Sequence, residues 1–340
     1  MDTTKLKLFL DEKAKEDKFS GVVLIAKDFE PIFEYVAGFA NQELQIKNNL
    51  DTKFNIASIG KMFTGVAIAK LVEEKLLNFD DKVGKYLPDY PNKSIKEKAT
   101  IHNLLTHTSG LGTIFNKKYI ELENSLKEVK DYLEVFQDEP LLFEPGEGYQ
   151  YSSAAYILLG RIIEVITNKN YFDYIKKNIF NVAGMEDIGY FEIDKSLPNL
   201  ANPYTHRKVF SKEMDLKSPR RNNLSELPFK GVPGGGEFST VYDLLKFAKS
   251  LWEFKFLSKD MTEFITSPRQ DTPKSQFKNG YGFYILEMEG HKIIGREGGL
   301  GGISTIFHMY QDVPFIVIVL CNFDEPIAKD IAIFTAKLIS

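Results

Sequence analysis

Apolar residues recur at helical spacing at the start of the chain and through its middle, and alternate in strand fashion near both ends. The spacing predicts an amphipathic helix over 3–17, then two strands over 20–27 and 31–38 joined by the turn Asp28-Phe29-Glu30, a hairpin. Met62, Phe63, Val66, Ala67, Ala69, Leu71 and Val72 make the next segment apolar nearly all round. A helix of that kind is buried, and it is expected to run from Ser58 to about Lys75. A loop with a short helix follows over 80–88, then helices over 101–107, 120–136, 153–167 and 171–178. The stretch 185–230 is polar, proline-bearing and irregular, and Ser239-Thr240 look like caps for a helix over 240–252. From Tyr281 the period shortens to that of strands, expected at 281–288, 291–296, 303–310 and 314–321, with a closing helix over 325–339.

Strands at both ends of the sequence and helices between them predict an α+β fold. One antiparallel sheet would be flanked by the N- and C-terminal helices, with a mainly helical part inserted. The expected division is 1–60 with 231–340 as the sheet subdomain and 61–230 as the helical one, with a site in the cleft between them. No internal repeat or low-complexity segment interrupts this plan.

Composition narrows the function classes. The chain has 340 residues, 43% hydrophobic and 26% charged, with a net charge of −4 and no block of like charge. Nothing in that balance suggests nucleic acid or an anionic membrane surface as a partner. The single cysteine, Cys321, excludes an intrachain disulfide and any multi-cysteine metal site. His102 and His107 are five apart, not at the spacing of a zinc helix, and His107 is expected to make structural hydrogen bonds near a helix end. No run reaches the ~18 apolar residues of a membrane span. The first residues carry charges through their apolar positions, so no secretory leader is seen. A cytoplasmic location is the expectation for the sequence as given, and a periplasmic or secreted one if a leader has been removed.

The chemistry is concentrated at Ser58 and Lys61. Residues three apart on a helix lie one above the other, which would set the lysine amine beside the serine hydroxyl. Serine is a poor nucleophile without a neighbouring base, and a buried lysine can be that base. A helix start also supplies a backbone N–H where an oxyanion would develop. The spacing alone is weak evidence, since Ser275 and Lys278 repeat it, but in a polar turn-rich segment with no helix behind it. Ser58 as a helix cap and Lys61 as a solvated side chain is the plain alternative. Tyr151, just before a helix, is either a packing residue or a proton shuttle. The run from Gly295 to Gly302 is either a hairpin loop or an edge strand of small residues along a cleft, with Arg296 supplying charge. A second glycine cluster, Val232 to Thr240, is a further candidate for that cleft. No Gly-x-Ser-x-Gly elbow is present, which argues against an α/β-hydrolase.

Taken in order, these stretches resemble the serine β-lactamase and penicillin-binding-protein superfamily, most of all class C β-lactamases, DD-peptidases and family VIII esterases. Phe54-Asn-Ile-Ala-Ser58-Ile-Gly-Lys61 looks like the Ser-x-x-Lys motif, and Leu104-Leu-Thr-His-Thr-Ser-Gly-Leu111 matches a typical segment. Tyr151-Ser152-Ser153 looks like Tyr-x-Asn, Gly236-Glu-Phe-Ser-Thr-Val-Tyr-Asp243-Leu matches another common segment, and Arg296-Glu-Gly298 falls where Lys/His-x-Gly is expected. The resemblance implies the β-lactamase/transpeptidase-like fold and a Ser58 acyl-enzyme. Lys61 and Tyr151 would share the serine proton, with Ser58 and Gly299 as oxyanion donors and Ser153, Arg296 and Gly298 toward the substrate. It implies no metal and no organic cofactor.

Two positions depart from the pattern. Ser153 replaces an asparagine that touches the substrate amide and the lysine, and Arg296 replaces lysine or histidine. These departures shift the expectation toward an esterase acting on small ester or amide substrates. A D-amino-acid peptidase or β-lactam hydrolase is the alternative within the enzymes, and a non-catalytic penicillin-binding-like sensor is the alternative outside them.

Overall fold

The N-terminal hairpin and the C-terminal strands meet in one eight-stranded antiparallel sheet in this computed structural model, which describes residues 1–339 apart from 196, 210, 212, 274 and 275. Ser275, the second serine at Ser-x-x-Lys spacing, therefore lies outside the described residues. The strands are β1 (Gly21–Lys27), β2 (Glu30–Ala37), β3 (Gln270–Asp271), β4 (Phe277–Asn279), β5 (Tyr284–Met288), β6 (His291–Leu300), β7 (Ile303–Tyr310) and β8 (Phe315–Cys321). Their order is β2-β1-β8-β7-β6-β5-β4-β3. Asp28 and Phe29 both take left-handed backbone, with φ of 52° and 64°, the two-residue turn whose twist suits a hairpin.

Side chains alternate across the sheet and define two cores. Val23, Ile25, Val317 and Val319 face one layer with Leu6 and Leu10 of helix α1 (Thr3–Lys15) and Ile331 of a helix at Ile327–Ala336. Val22, Leu24, Ile318 and Leu320 face the larger core. That core holds α2 (Lys61–Glu73), α3 (Ser153–Thr167) and α4 (Val241–Trp252). Thr240 caps α4 by accepting from the Asp243 N–H, as the sequence predicts.

Several expectations need correction. The helix expected from Ser58 begins with a 3-10 turn, Ala57–Gly60, and becomes α-helical at Lys61. The helix expected over 120–136 is broken into Lys117–Leu122, Glu123–Ser125, Val129–Tyr132 and Leu133–Phe136. The Asp131 carboxylate accepts from the N–H groups of Lys127 and Glu128, and such local bonds compete with helix propagation. A helix at Lys259–Ile265 and strand β4 were not anticipated. Strand β6 runs on through the glycines to Leu300, beyond the expected end at 296. Among the described residues no helix is long and apolar enough to cross a membrane, and no cluster of side chains suits a metal ion.

Candidate active site

The turn that carries Ser58 is held from three sides. Asn55 accepts from the Ala57 N–H at 2.9 Å and donates to the Gly236 carbonyl at 3.2 Å. Ala57 takes a left-handed backbone, φ 46°, which costs a non-glycine residue about 1 kcal/mol. Ladder bonds hold the strained turn: Phe54 and Asn55 pair antiparallel with Ser239 and Phe238. The third side is β6, which packs directly on the turn.

The glycines of β6 resolve the choice left open by the sequence. Tyr284 opposite Gly295 is the last pair between β5 and β6, whereas β7 continues to pair with β6 as far as Leu300. Among the described residues, then, the strand pairing on that side of β6 stops before Arg296, which is the edge-strand reading. A Cβ built on Gly298 would lie 2.4 Å from the Ile56 carbonyl oxygen and 2.4 Å from the Thr305 hydroxyl. Only glycine lets β6 lie this close to the Ser58 turn.

Ser58, Lys61 and Tyr151 converge. Tyr151 donates its hydroxyl hydrogen to Ser58 Oγ at 2.6 Å, and Lys61 Nζ donates to the same oxygen at 3.3 Å. Lys61 is 1% exposed and donates also to the Gly234 carbonyl. Its ammonium lies 4.9 Å from the Tyr151 ring centre and 5.3 Å from that of Tyr156. Arg296 Nη2 donates to the Tyr151 oxygen at 3.2 Å, and Nη1 donates to the Gly282 carbonyl.

Tyr151 is placed by the residues on either side of it. Ser152 caps α3 by accepting from the Ala155 N–H and donates its hydroxyl to the Gly112 carbonyl at 2.7 Å. The Gln150 N–H bonds to the His107 carbonyl, and the Ser152 N–H bonds to His107 Nδ1 at 3.2 Å. His107 thus grips the chain on both sides of Tyr151, and its ring lies 4.5 Å from the tyrosine ring, centre to centre. Nδ1 is an acceptor, so the neutral ring carries its proton on Nε2. Burial, with Arg296 and Lys61 adding to it, holds His107 well below the usual histidine range.

The electrostatics favour a reactive phenol. Burial disfavours the Tyr151 phenolate, but the charges of Lys61 and Arg296 and bonds from Lys61 and Ser58 outweigh it, lowering the group to about 7. Burial also lowers Lys61, with the Arg296 charge adding to it, while Tyr151 and Glu237 oppose the change. An anionic Tyr151 beside a cationic Lys61 can accept the Ser58 proton across the 2.6 Å contact.

The structure alters the roles expected for three residues. Arg296 is 1% exposed and lies over the Tyr284 ring at 4.1 Å, with its guanidinium turned to the Tyr151 oxygen and not to solvent. Gly298 is buried against Ile56 and Ala57 and serves close packing. Ser153 is partly exposed, but its hydroxyl accepts from the Ile114 N–H at 3.4 Å, and the second acceptor on Lys61, besides Ser58 Oγ, is the Gly234 carbonyl. Gly299 is partly exposed on β6 beside Gly298. Gly234 is the contact that motif reading missed, and only the density of glycines at 234–236 hinted at it.

Comparison with known proteins agrees with this architecture. Residues 7–339 match the family described as Beta-lactamase. Penicillin-binding protein 4* of Bacillus subtilis is 29% identical over 339 residues, 97% of this chain and 74% of that protein. A second Bacillus subtilis relative, the putative penicillin-binding protein PbpX, is 30% identical over 80% of this chain but is itself covered over only 63% of its length. The crystal structure of a penicillin binding protein from Bacillus halodurans superposes with a TM-score of 0.85 at 30% identity, over 96% of this chain and 98% of that one.

Proposed function

This chain belongs to the Beta-lactamase family, and from that premise we propose that it is a serine hydrolase working through a Ser58 acyl-enzyme on small ester or amide substrates. The observation that carries the reading is the shared contact at Ser58 Oγ, with Tyr151 at 2.6 Å and Lys61 at 3.3 Å. Tyr151, as the phenolate, takes the Ser58 proton while Lys61 remains an ammonium and steadies both oxygens. The serine oxygen attacks the carbonyl carbon, and the backbone N–H groups of Ser58 and Gly299 receive the oxyanion. Collapse expels the alcohol or amine, which leaves with the proton held by Tyr151. Water then attacks the acyl-enzyme, giving its proton to Tyr151 and releasing the acid with Ser58 restored.

Ser153 supports the ester preference. A hydroxyl bonded to the Ile114 N–H does not offer the paired donor and acceptor with which an asparagine amide grips a peptide. The names of the relatives support a second reading, a β-lactam or D-amino-acid peptide substrate. Turnover of nitrocefin, or a long-lived penicillin adduct on Ser58, would favour that reading over the esterase. The direct test is hydrolysis of short p-nitrophenyl esters. Ser58→Ala is expected to lose activity by a factor of ~10³ or more. Full hydrolysis by that variant would refute the assignment.

A further inference from the structure

The loop that supplies Gly234 also carries Glu237, a group that the proposed chemistry leaves unused. Glu237 is 0% exposed, and neither carboxyl oxygen has a hydrogen-bond partner of acceptable geometry among the described residues. A buried carboxyl without a well-formed hydrogen bond is costly, so its presence calls for a reason. Its position is well defined. The Glu237 carbonyl accepts from the Ile56 N–H at 2.8 Å, and a Cβ built on Gly60 would lie 2.0 Å from a Glu237 carboxyl oxygen. Gly60 is the joint between the Ser58 turn and the Lys61 helix, and only glycine leaves room for the carboxyl there.

The groups that face Glu237 are few. Its carboxyl interacts with Lys61 on α2 and with the phenols of Tyr171 and Tyr190. Tyr190 donates to the Tyr171 oxygen at 3.3 Å, Thr64 shares that oxygen at 2.7 Å, and Glu164 lies beyond, accepting from the Tyr171 N–H. Burial pushes the Glu237 carboxyl up to about 7, and its own backbone N–H, the Tyr190 hydroxyl and the Lys61 charge offset it only in part. Arg296 and Lys61 are two cations against the single anion of a Tyr151 phenolate, and an ionised Glu237 adds a second anion that acts on Lys61.

We propose that Glu237 is a positioning residue of this site, acting through Lys61: wedged under the Gly60 joint, its charge holds Lys61 as the ammonium while Tyr151 takes the serine proton. The inference rests on the Ser58 hydrolase reading, in which loss of the Lys61 proton ends activity at alkaline pH. Glu237→Gln removes an anion from beside the ammonium, so the alkaline limb of the kcat/KM profile moves to lower pH by about one unit. Glu237→Asp keeps the charge and is expected to stay near the wild-type limb. These midpoints do not depend on the fraction of enzyme that folds. Infrared difference spectra, wild type minus Glu237→Gln, give a second readout that needs no substrate and so stands or falls apart from the hydrolase reading. A protonated-carboxyl band present in weak acid is expected to fade as pH rises through about 7. An alkaline limb unmoved by Glu237→Gln would overturn the proposal, and so would a carboxyl band that persists into alkali.

Discussion

Replacing Arg296 with glutamine removes the cation that lies 3.2 Å from the Tyr151 oxygen. At that separation a unit charge pair is worth ~5 kcal/mol at an effective dielectric of ~20 and ~1.3 kcal/mol at the ~80 of water. One pKa unit corresponds to about 1.4 kcal/mol, so the phenolate loses stabilisation equivalent to between ~1 and ~4 units. Tyr151 is partly exposed, which favours the lower half of that range. The sign is definite. Without the cation the phenolate is harder to form, so the acid limb of kcat/KM, set by Tyr151 at about 7, moves to higher pH. The assay is the pH profile of p-nitrophenyl ester hydrolysis, which reports groups of the free enzyme. Arg296→Lys keeps the charge and should shift the limb far less, although it loses the fork that also reaches the Gly282 carbonyl. An acid limb unmoved in Arg296→Gln would refute the claim that Arg296 poises Tyr151.

Two further substitutions test the frame around the site. Gly235 has φ of 126°, and a Cβ there would lie 2.0 Å from the Ala57 carbonyl oxygen; Gly235→Ala should therefore displace the nucleophile turn and lower kcat at least ~10-fold, with wild-type kcat contradicting the close-approach argument. His308 is fully buried, and burial, with Lys329 adding to it, lowers it to about 3. Its neutral form contributes stability that is complete above the unfolded value near 6.5 and is lost as pH falls toward 3, by ~3 kcal/mol at pH ~4. Thermal melts should show a gentler acid decline for His308→Phe than for wild type, and parallel curves would exclude this histidine as a source of acid sensitivity.

How much of this was legible in the sequence depended on how local the signal was. The α+β sheet was readable because β1, β7 and β8 alternate or run apolar over their full length and end at turn residues such as Asp28, Gln311 and Asp312. The convergence of Ser58, Lys61 and Tyr151 was anticipated through ordered motifs, since periodicity sees 58 and 61 together but says nothing of 151. The turn before Lys61 was not legible, because the left-handed Ala57 is imposed by contacts with Gly235 and Gly298, far away in the chain. The same is true of Lys61, whose carbonyl acceptor at Gly234 is a backbone group and leaves no side-chain signature. The break near residue 126 was hidden because Asp131 looks like an ordinary exposed helix residue until its carboxylate caps the chain behind it. Arg296 read as a charge facing the cleft, since nothing local reveals that Tyr151 and Tyr284 cover it.

The most direct measurement is peptide mapping by mass spectrometry after reaction with a fluorophosphonate, which captures an activated serine. The expected result is a single label on the peptide containing Ser58, absent in Ser58→Ala and formed much more slowly in Tyr151→Phe. A folded chain that hydrolyses esters yet carries its label elsewhere, or labels Ser58 equally fast without the tyrosine hydroxyl, would contradict the account.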